Sequence, residues 1–182
     1  SKIGGAINIQ DGRKATINFN GCTFSENTAT TAGGAIANCV GTIIVDGCSF
    51  VKNYSVNHGG AICTYGEKLS GNATITGIAN TYIYNSMFDG NTVSDANQGG
   101  TIKAHGNGNL AVVNSTIRKS SAKTGIIRLR SQVAESVKAW IIGCTFSENN
   151  QNSLYNQSSK AYVYNSIMND ASSYIANQSV GG

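Results

Sequence analysis

Short segments in which apolar and polar residues alternate recur along the chain, and each segment ends on a large apolar residue. The six segments read TINFNGCTF (16–24), TIIVDGCSF (42–50), NTYIYNSMF (80–88), NLAVVNSTI (109–117), KAWIIGCTF (138–146) and KAYVYNSIM (160–168). Alternation with a period of two predicts strands that bury one face. The segment ends are 26, 38, 29, 29 and 22 residues apart, and such spacings are typical of the coils of a solenoid.

This spacing predicts one domain over residues 1–182: an all-β, right-handed, single-stranded parallel β-helix (a solenoid) of about six coils. The 38-residue step indicates an insertion loop at 64–79. A bare strand edge at the end of a solenoid promotes aggregation. We therefore expect the domain to be part of a longer solenoid or to stack end to end.

Aligning the segments on their last residue gives columns of similar residues. The last position should point into the core and holds Phe24, Phe50, Phe88, Ile117, Phe146 and Met168. The position five places earlier should do the same and holds Phe19, Val45, Ile83, Val112, Ile141 and Val163. Three places earlier stand only Gly or Asn, namely Gly21, Gly47, Asn85, Asn114, Gly143 and Asn165. Because these residue types adopt a left-handed backbone most readily, this column predicts a tight bend in every coil.

The position two places before the last residue is always small, which suits a crowded inner corner. It holds Cys22, Cys48, Ser86, Ser115, Cys144 and Ser166. Cys22 and Cys48 lie on neighbouring predicted coils, close enough for a disulfide but not ideally aimed. We expect the cysteines to be mostly buried thiols that act as small apolar residues.

Asparagine recurs three places after the last residue of four segments, at Asn27, Asn53, Asn91 and Asn149. Stacked amide side chains can hydrogen-bond to one another along the solenoid and to backbone groups of the turns. The column therefore predicts a structural ladder. Isolated asparagines in surface turns are the alternative.

Two short motifs recur together. Gly-Gly-Ala-Ile occurs at 4–7, 33–36 and 59–62, with Gly-Gly-Thr-Ile at 99–102. Phe-x-x-Asn occurs at 24–27, 50–53, 88–91 and 146–149. This pairing resembles the repeat of chlamydial polymorphic membrane proteins and related adhesin-like surface proteins. The resemblance implies a right-handed β-helix exposed at a cell surface and used in adhesion.

Residues suited to catalysis are sparse. The nine Asp and Glu residues are spread along the chain. Glu26 and Glu148 share a column but lie four coils apart, roughly 20 Å at a strand spacing of about 4.8 Å, too far for a glycosidase pair. His58 and His105 lie in predicted turns without a Cys or carboxylate at ligand spacing. We expect no enzyme activity, no catalytic residue, no cofactor and no metal site.

Charge and hydropathy limit the partners. The net charge is +4, but Lys and Arg are scattered, so we expect no nucleic-acid binding. No apolar run reaches the roughly 20 residues of a membrane helix, so we expect no membrane insertion in this segment.

The outward columns of the later coils are apolar where a solvent-facing strand should be polar. Positions four and six before the last residue should face outward, and there stand Tyr82, Tyr84, Trp140, Ile142, Tyr162 and Tyr164. Contiguous exposed apolar patches often mark interaction sites. We predict that these six residues, the aromatic stripe, bind another copy of the chain, a second protein or a glycan. Cover by the insertion at 64–79 is the alternative.

The sequence favours a non-catalytic, extracellular or cell-surface β-helix protein for adhesion or self-assembly. Two alternatives stay open. One is a structural filament subunit that stacks end to end. The other is a β-helix resembling a polysaccharide lyase or hydrolase, with its site outside this segment. Asn72, in the insertion, is the best candidate for N-glycosylation if the host performs it.

Overall fold

The computed structural model describes residues 1–10, 15–66, 77–94, 99–131, 136–170 and 175–178. Over these residues the chain forms 22 strands and no helix. Coil 1 contains β1 (Ile7–Ile9), β2 (Thr16–Asn20), β3 (Thr23–Ser25) and β4 (Thr28–Ala29). Coil 2 contains β5 (Ile36–Asn38), β6 (Gly41–Asp46), β7 (Ser49–Val51) and β8 (Tyr54–Ser55). Coil 3 contains β9 (Ile62–Thr64), β10 (Ala79–Tyr84), β11 (Met87–Asp89) and β12 (Thr92–Val93).

The later coils have three strands each within the described residues. Coil 4 contains β13 (Ile102–His105), β14 (Gly108–Val113) and β15 (Thr116–Arg118). Coil 5 contains β16 (Ile127–Arg130), β17 (Lys138–Ile142) and β18 (Thr145–Ser147). Coil 6 contains β19 (Leu154–Gln157), β20 (Lys160–Tyr164) and β21 (Ile167–Asn169), and β22 (Ile175–Gln178) follows it.

Equivalent strands of successive coils pair into four sheets. Sheet I has the order β1-β5-β9-β13-β16-β19-β22 and sheet II the order β2-β6-β10-β14-β17-β20. Sheet III has the order β3-β7-β11-β15-β18-β21 and sheet IV the order β4-β8-β12. Every strand pairing in the described part of the chain is parallel. This arrangement is a parallel β-helix and confirms the expected fold class.

The core is a stack of apolar side chains, one layer per coil. The register follows the sequence columns, since Phe24 lies opposite Phe50 and Phe50 opposite Phe88. The rings of Phe50 and Phe88 stack with centroids 4.6 Å apart and planes 2° apart. In this column only Met168 is half-buried, and the other five side chains are buried. Each buried Phe contributes about 1.5–3 kcal/mol of apolar burial, so the stack is a principal source of stability.

Two columns of left-handed bends recur along the solenoid, the first in all six coils and the second in coils 1 to 5. The first, between sheets II and III, falls on the predicted Gly and Asn column, with φ between 47° at Asn165 and 63° at Gly143. The second follows sheet III, with φ between 50° and 65° at Glu26, Lys52, Gly90, Lys119 and Glu148. The sequence does not predict this second bend, because Glu and Lys rarely adopt a left-handed backbone.

The Gly-Gly-Ala-Ile motif has a steric basis. Gly33, its first glycine in coil 2, has a φ of 64°. A Cβ at the second glycine, Gly34, would overlap the carbonyl oxygen of Gly60 in the next coil and lie 2.7 Å from the carbonyl oxygen of Tyr54. The first glycine therefore permits a turn, and the second permits two backbones to approach closely.

The insertion separates β9 from β10, with residues 65–78 between them. Residues 67–76, including the glycosylation candidate Asn72, lie outside the described residues. Of the described ends, Tyr65 is buried and its ring lies 5.0 Å from that of His105. A Cβ at Gly77 would lie 2.7 Å from Val40.

Candidate functional site

The aromatic stripe occupies the outward face of sheet II. Its residues alternate with Ile83, Ile141 and Val163, which belong to or pack against the core. Two columns run across the strands in register. One is Tyr82–Ala111–Trp140–Tyr162, and the other is Tyr84–Val113–Ile142–Tyr164. The structure thus brings all six predicted residues to one face.

The stripe is uneven along its length. Tyr164 is 54 % exposed, and the other five residues are half-buried. The rings of Trp140 and Tyr162 stack with centroids 5.8 Å apart and planes 13° apart. Ala111 separates Tyr82 from Trp140. The largest continuous aromatic surface therefore lies on coils 5 and 6.

Polar groups border the stripe at the bend between sheets II and III. Asn85 and Asn114 are exposed there, and Asn85 donates a hydrogen bond from Nδ2 to Oδ1 of Asp46 at 2.8 Å. An open groove of about 390 Å³ runs along this bend. It is lined by Gly47, Cys48, Ser49, Asn85, Ser86, Met87, Asn114, Thr116 and Arg118. A ligand on the stripe would therefore meet amide and hydroxyl groups at its edge.

The asparagine column is joined by hydrogen bonds between coils. Asn27 donates to Oδ1 of Asn53 from its backbone N–H and from Nδ2, at 3.0 and 2.9 Å. Nδ2 of Asn53 also donates to the carbonyl oxygen of Phe24 at 2.9 Å. Asn149 makes the same pair of contacts with Oδ1 of Asp170, at 3.2 and 2.8 Å. These amides connect coils and satisfy turn backbone groups.

The small-residue column holds a second series of hydrogen bonds that sequence reasoning missed. The backbone N–H of Cys48 donates to Oγ of Ser86, and that of Ser86 donates to Oγ of Ser115, both at 3.1 Å. Each hydroxyl or thiol donates in turn to the carbonyl oxygen two residues earlier, as from Ser86 to Tyr84 at 2.7 Å. The restriction of this column to Cys and Ser was the available signal, because both carry a γ donor and acceptor.

Sequence reasoning also missed a buried basic cluster on the outward face of sheet I. Lys103 is fully buried and Arg128 is 4 % exposed, although both face away from the core. Nζ of Lys103 lies 2.9 Å from Nδ1 of His58 and 5.8 Å from the centroid of the Tyr65 ring. The guanidinium of Arg128 lies 5.4 Å from the centroid of the Tyr155 ring. Outward basic residues on β13 and β16 were the only signal in the sequence.

His105 belongs to this cluster and is also buried. Burial is the main cause that lowers the pKa of His105, to about 3, and the charges of Lys103 and Arg130 lower it further. His105 is therefore neutral at physiological pH. Burial likewise raises the pKa of the Cys63 thiol, against the opposing effect of Lys103.

Two described carboxylates bind neighbouring side chains within the fold. Asp89 pairs with Arg118 at 2.8 Å, and Asp170 accepts hydrogen bonds from Asn149 and Ser153. Across the described ranges, no three His, Cys, Asp or Glu side chains are grouped so as to hold a metal ion. Nor does the described part of the chain contain a helix long and apolar enough to cross a membrane.

Comparison with known families matched a repeat in two segments of the chain. The Chlamydia polymorphic membrane protein repeat matches residues 21–39 and 47–65. Each matched segment begins at a bend glycine and extends through Phe-x-x-Asn into Gly-Gly-Ala-Ile. The resemblance inferred from the motifs is therefore confirmed over these two segments. Comparisons with curated proteins and with solved structures gave no significant match.

Proposed function

We propose that the chain is a non-catalytic surface protein that binds a protein or glycan ligand on another surface through the aromatic stripe. The observation that carries this proposal is the continuity of Trp140, Tyr162 and Tyr164 on one outward face. The match to a polymorphic membrane protein repeat supports a surface-associated, adhesin-like role. Adhesion through the stripe is the more specific part of the proposal.

The chemistry of the stripe suits binding. Tyr and Trp are enriched at protein interfaces because they offer a large rigid surface together with a polar group. Here Tyr162 and Tyr164 offer hydroxyl groups, while the stacked Trp140 offers an apolar ring. A face of this composition loses little conformational entropy when it orders against a ligand, since each ring has only two side-chain torsions.

A non-catalytic role is supported by the contacts of three described carboxylates. The carboxylates of Asp46, Asp89 and Asp170 are hydrogen-bonded to neighbouring side chains. A glycosidase instead needs one carboxyl as acid and a facing carboxyl as base or nucleophile. We therefore place the function in binding rather than in polysaccharide cleavage.

The test is a cell-binding measurement with the double variant Trp140→Ser/Tyr164→Ser. The purified chain, labelled at its amino terminus, is titrated onto cultured eukaryotic cells and bound fluorescence is counted by flow cytometry. Loss of two aromatic anchors should weaken binding by at least about tenfold. Pretreating the cells with protease or with periodate separates a protein ligand from a glycan.

Tyr54→Ser is the matched control. Tyr54 is a half-buried aromatic residue of sheet IV, on a different face, and its hydroxyl lies 3.0 Å from Oγ of Ser94. This variant should bind cells as the unaltered chain does. Equal binding by the double variant and the unaltered chain, with both folded by circular dichroism, would reject the stripe as the binding face.

Self-assembly through the aromatic stripe is a second candidate function of this face. End-to-end stacking into a filament stays a prediction. Sedimentation velocity over a wide concentration range distinguishes these cases. Association that the double variant abolishes would indicate pairing through the stripe. Association that it leaves unchanged would indicate end-to-end stacking.

A further inference from the structure

We infer that Cys22 and Cys48 are a redox-reactive pair that forms an intrachain disulfide between coils 1 and 2 when a low-molecular-weight disulfide is present. Such a bond would join the two coils at the bend between sheets II and III.

The backbone brings the two residues together. Thr23 lies opposite Ser49 in the parallel pairing of β3 with β7, so Cys22 and Cys48 directly precede a paired position. Neighbouring strands are about 4.8 Å apart, which is within the roughly 4.4–6.8 Å Cα separation of disulfides. Sγ of Cys48 already points toward coil 1, because it accepts a hydrogen bond from the backbone N–H of Cys22 at 3.3 Å.

The two thiols differ in accessibility. Cys22 is half-buried and Cys48 is buried. The residues before them, Gly21 and Gly47, have no side chains, and a Cβ at Gly21 would meet no heavy atom within 4 Å. Gly47 and Cys48 also line the open groove at the bend. Cys22, the half-buried member of the pair, is therefore the thiol that an oxidant reaches first.

The reaction balances as two thiol–disulfide exchanges with glutathione disulfide. The Cys22 thiolate attacks one sulfur, forming a mixed disulfide and releasing one glutathione thiolate. The Cys48 thiolate then attacks the sulfur of Cys22, forming the Cys22–Cys48 bond and releasing the second glutathione. Two protein thiols are oxidised, one glutathione disulfide is reduced to two thiols, and the two protein protons pass to glutathione. Burial raises the pKa of the Cys48 thiol, which lowers the thiolate fraction available for the second exchange.

The other cysteines provide internal comparisons. Cys144 occupies the same column in coil 5, but its neighbours there are Ser115 and Ser166, and it receives no thiol contact from them. Its backbone N–H donates to Oγ of Ser166 at 3.1 Å. Cys39 and Cys63 are fully buried. Reactivity in this column should therefore require two cysteines on adjacent coils.

The test is incubation of the whole chain with glutathione disulfide, followed by intact-mass measurement and non-reducing peptide mapping. We expect a monomer lighter by two hydrogen atoms, with a peptide linking Cys22 to Cys48, and a thermal midpoint raised by several degrees. Cys48→Ser should keep the fold, because Ser occupies this column in three coils. It should end as a stable mixed disulfide on Cys22.

Two further variants make the result decisive. Cys144→Ser should cross-link as the unaltered chain does. Ser115→Cys should create a second linkable pair with Cys144, if column geometry governs the reaction. A Cys22-linked dimer, a persistent mixed disulfide on the unaltered chain, or no reaction after hours at mildly alkaline pH would each overturn the inference.

Discussion

Oδ1 of Asn91 accepts two hydrogen bonds from Asn53, one from the backbone N–H and one from Nδ2, each at 2.9 Å. Asn53 is buried and accepts the equivalent pair from Asn27. Its amide therefore links three coils. Removing it would leave donors of Asn27 and the carbonyl oxygen of Phe24 without their partner.

Asn53→Ala should lower the free energy of unfolding by about 1–3 kcal/mol, the cost of leaving buried polar groups unsatisfied. The measurement is urea denaturation followed by circular dichroism. Asn18→Ala is the control, because Asn18 is exposed on β2, and it should change stability by less than about 0.5 kcal/mol. Equal effects of the two variants would show that the asparagine column has no structural role.

Asn114 tests the bend between sheets II and III, where its φ is 48°. Asn114→Ala should lower the free energy of unfolding by about 1 kcal/mol. Alanine has a Cβ but no polar group that could hydrogen-bond locally, so it disfavours the left-handed region. Asn114→Gly should be nearly neutral, because glycine enters that region freely. The measurement compares the urea denaturation midpoints of the two variants. An alanine variant as stable as the glycine variant would refute the steric explanation of the bend.

Substitutions at Gly34 and Gly21 distinguish the cost of steric overlap from the cost of backbone strain. Gly34→Ala would drive a Cβ into the carbonyl oxygen of Gly60, whereas Gly21→Ala, at a φ of 61°, meets open space. We expect Gly34→Ala to lower the free energy of unfolding by more than about 3 kcal/mol or to prevent folding. Gly21→Ala should lower it by about 1–2 kcal/mol. Soluble yield and thermal midpoint are the readouts. A Gly34→Ala chain at least as stable as Gly21→Ala would contradict the close approach of coils 2 and 3.

The buried His105 should make stability depend on pH. Its folded-state pKa of about 3 lies below the unfolded value of roughly 6.5. As the pH falls below about 6.5, the unfolded chain binds a proton that the folded chain excludes, so stability declines down to a pH of about 3. Between pH 7 and pH 5 the unaltered chain should lose about 2 kcal/mol.

His105→Gln should flatten this profile, because glutamine does not titrate. Urea denaturation at pH 5, 6 and 7 measures both chains, in a range where few carboxyl groups change charge. The same slope in the variant as in the unaltered chain would assign the pH dependence to other groups.

Much of the fold could be predicted from the sequence because each aligned position holds residues of similar type and has one structural role. Phe50 and Phe88 could only point inward, and Asn85 and Asn114 fit a left-handed bend better than their neighbours do. The parallel register followed from aligning these positions. The bend at Glu26 and Lys52 was missed because nothing in those side chains favours a positive φ.

The candidate site was predictable only in part. The alternation of apolar and polar residues predicted that Trp140 and Tyr164 face outward. It did not predict that Lys103, on the outward face of sheet I, is buried. That burial depends on His58 and Tyr65, which come from an earlier coil. Contacts between distant positions leave no periodic signal, so a lysine at an outward position is expected in solvent.

Trp140 is the chain's single tryptophan, so 5-fluorotryptophan places one fluorine in the aromatic stripe. The decisive measurement is the ¹⁹F resonance of this label during titration with a solubilised cell-surface fraction that retains the chain. The proposed function predicts that the chemical shift of the resonance changes as the chain binds, and that Tyr164→Ser weakens this response. An unchanged ¹⁹F chemical shift, while the resonance broadens because the chain has bound that fraction, would show that binding uses another face.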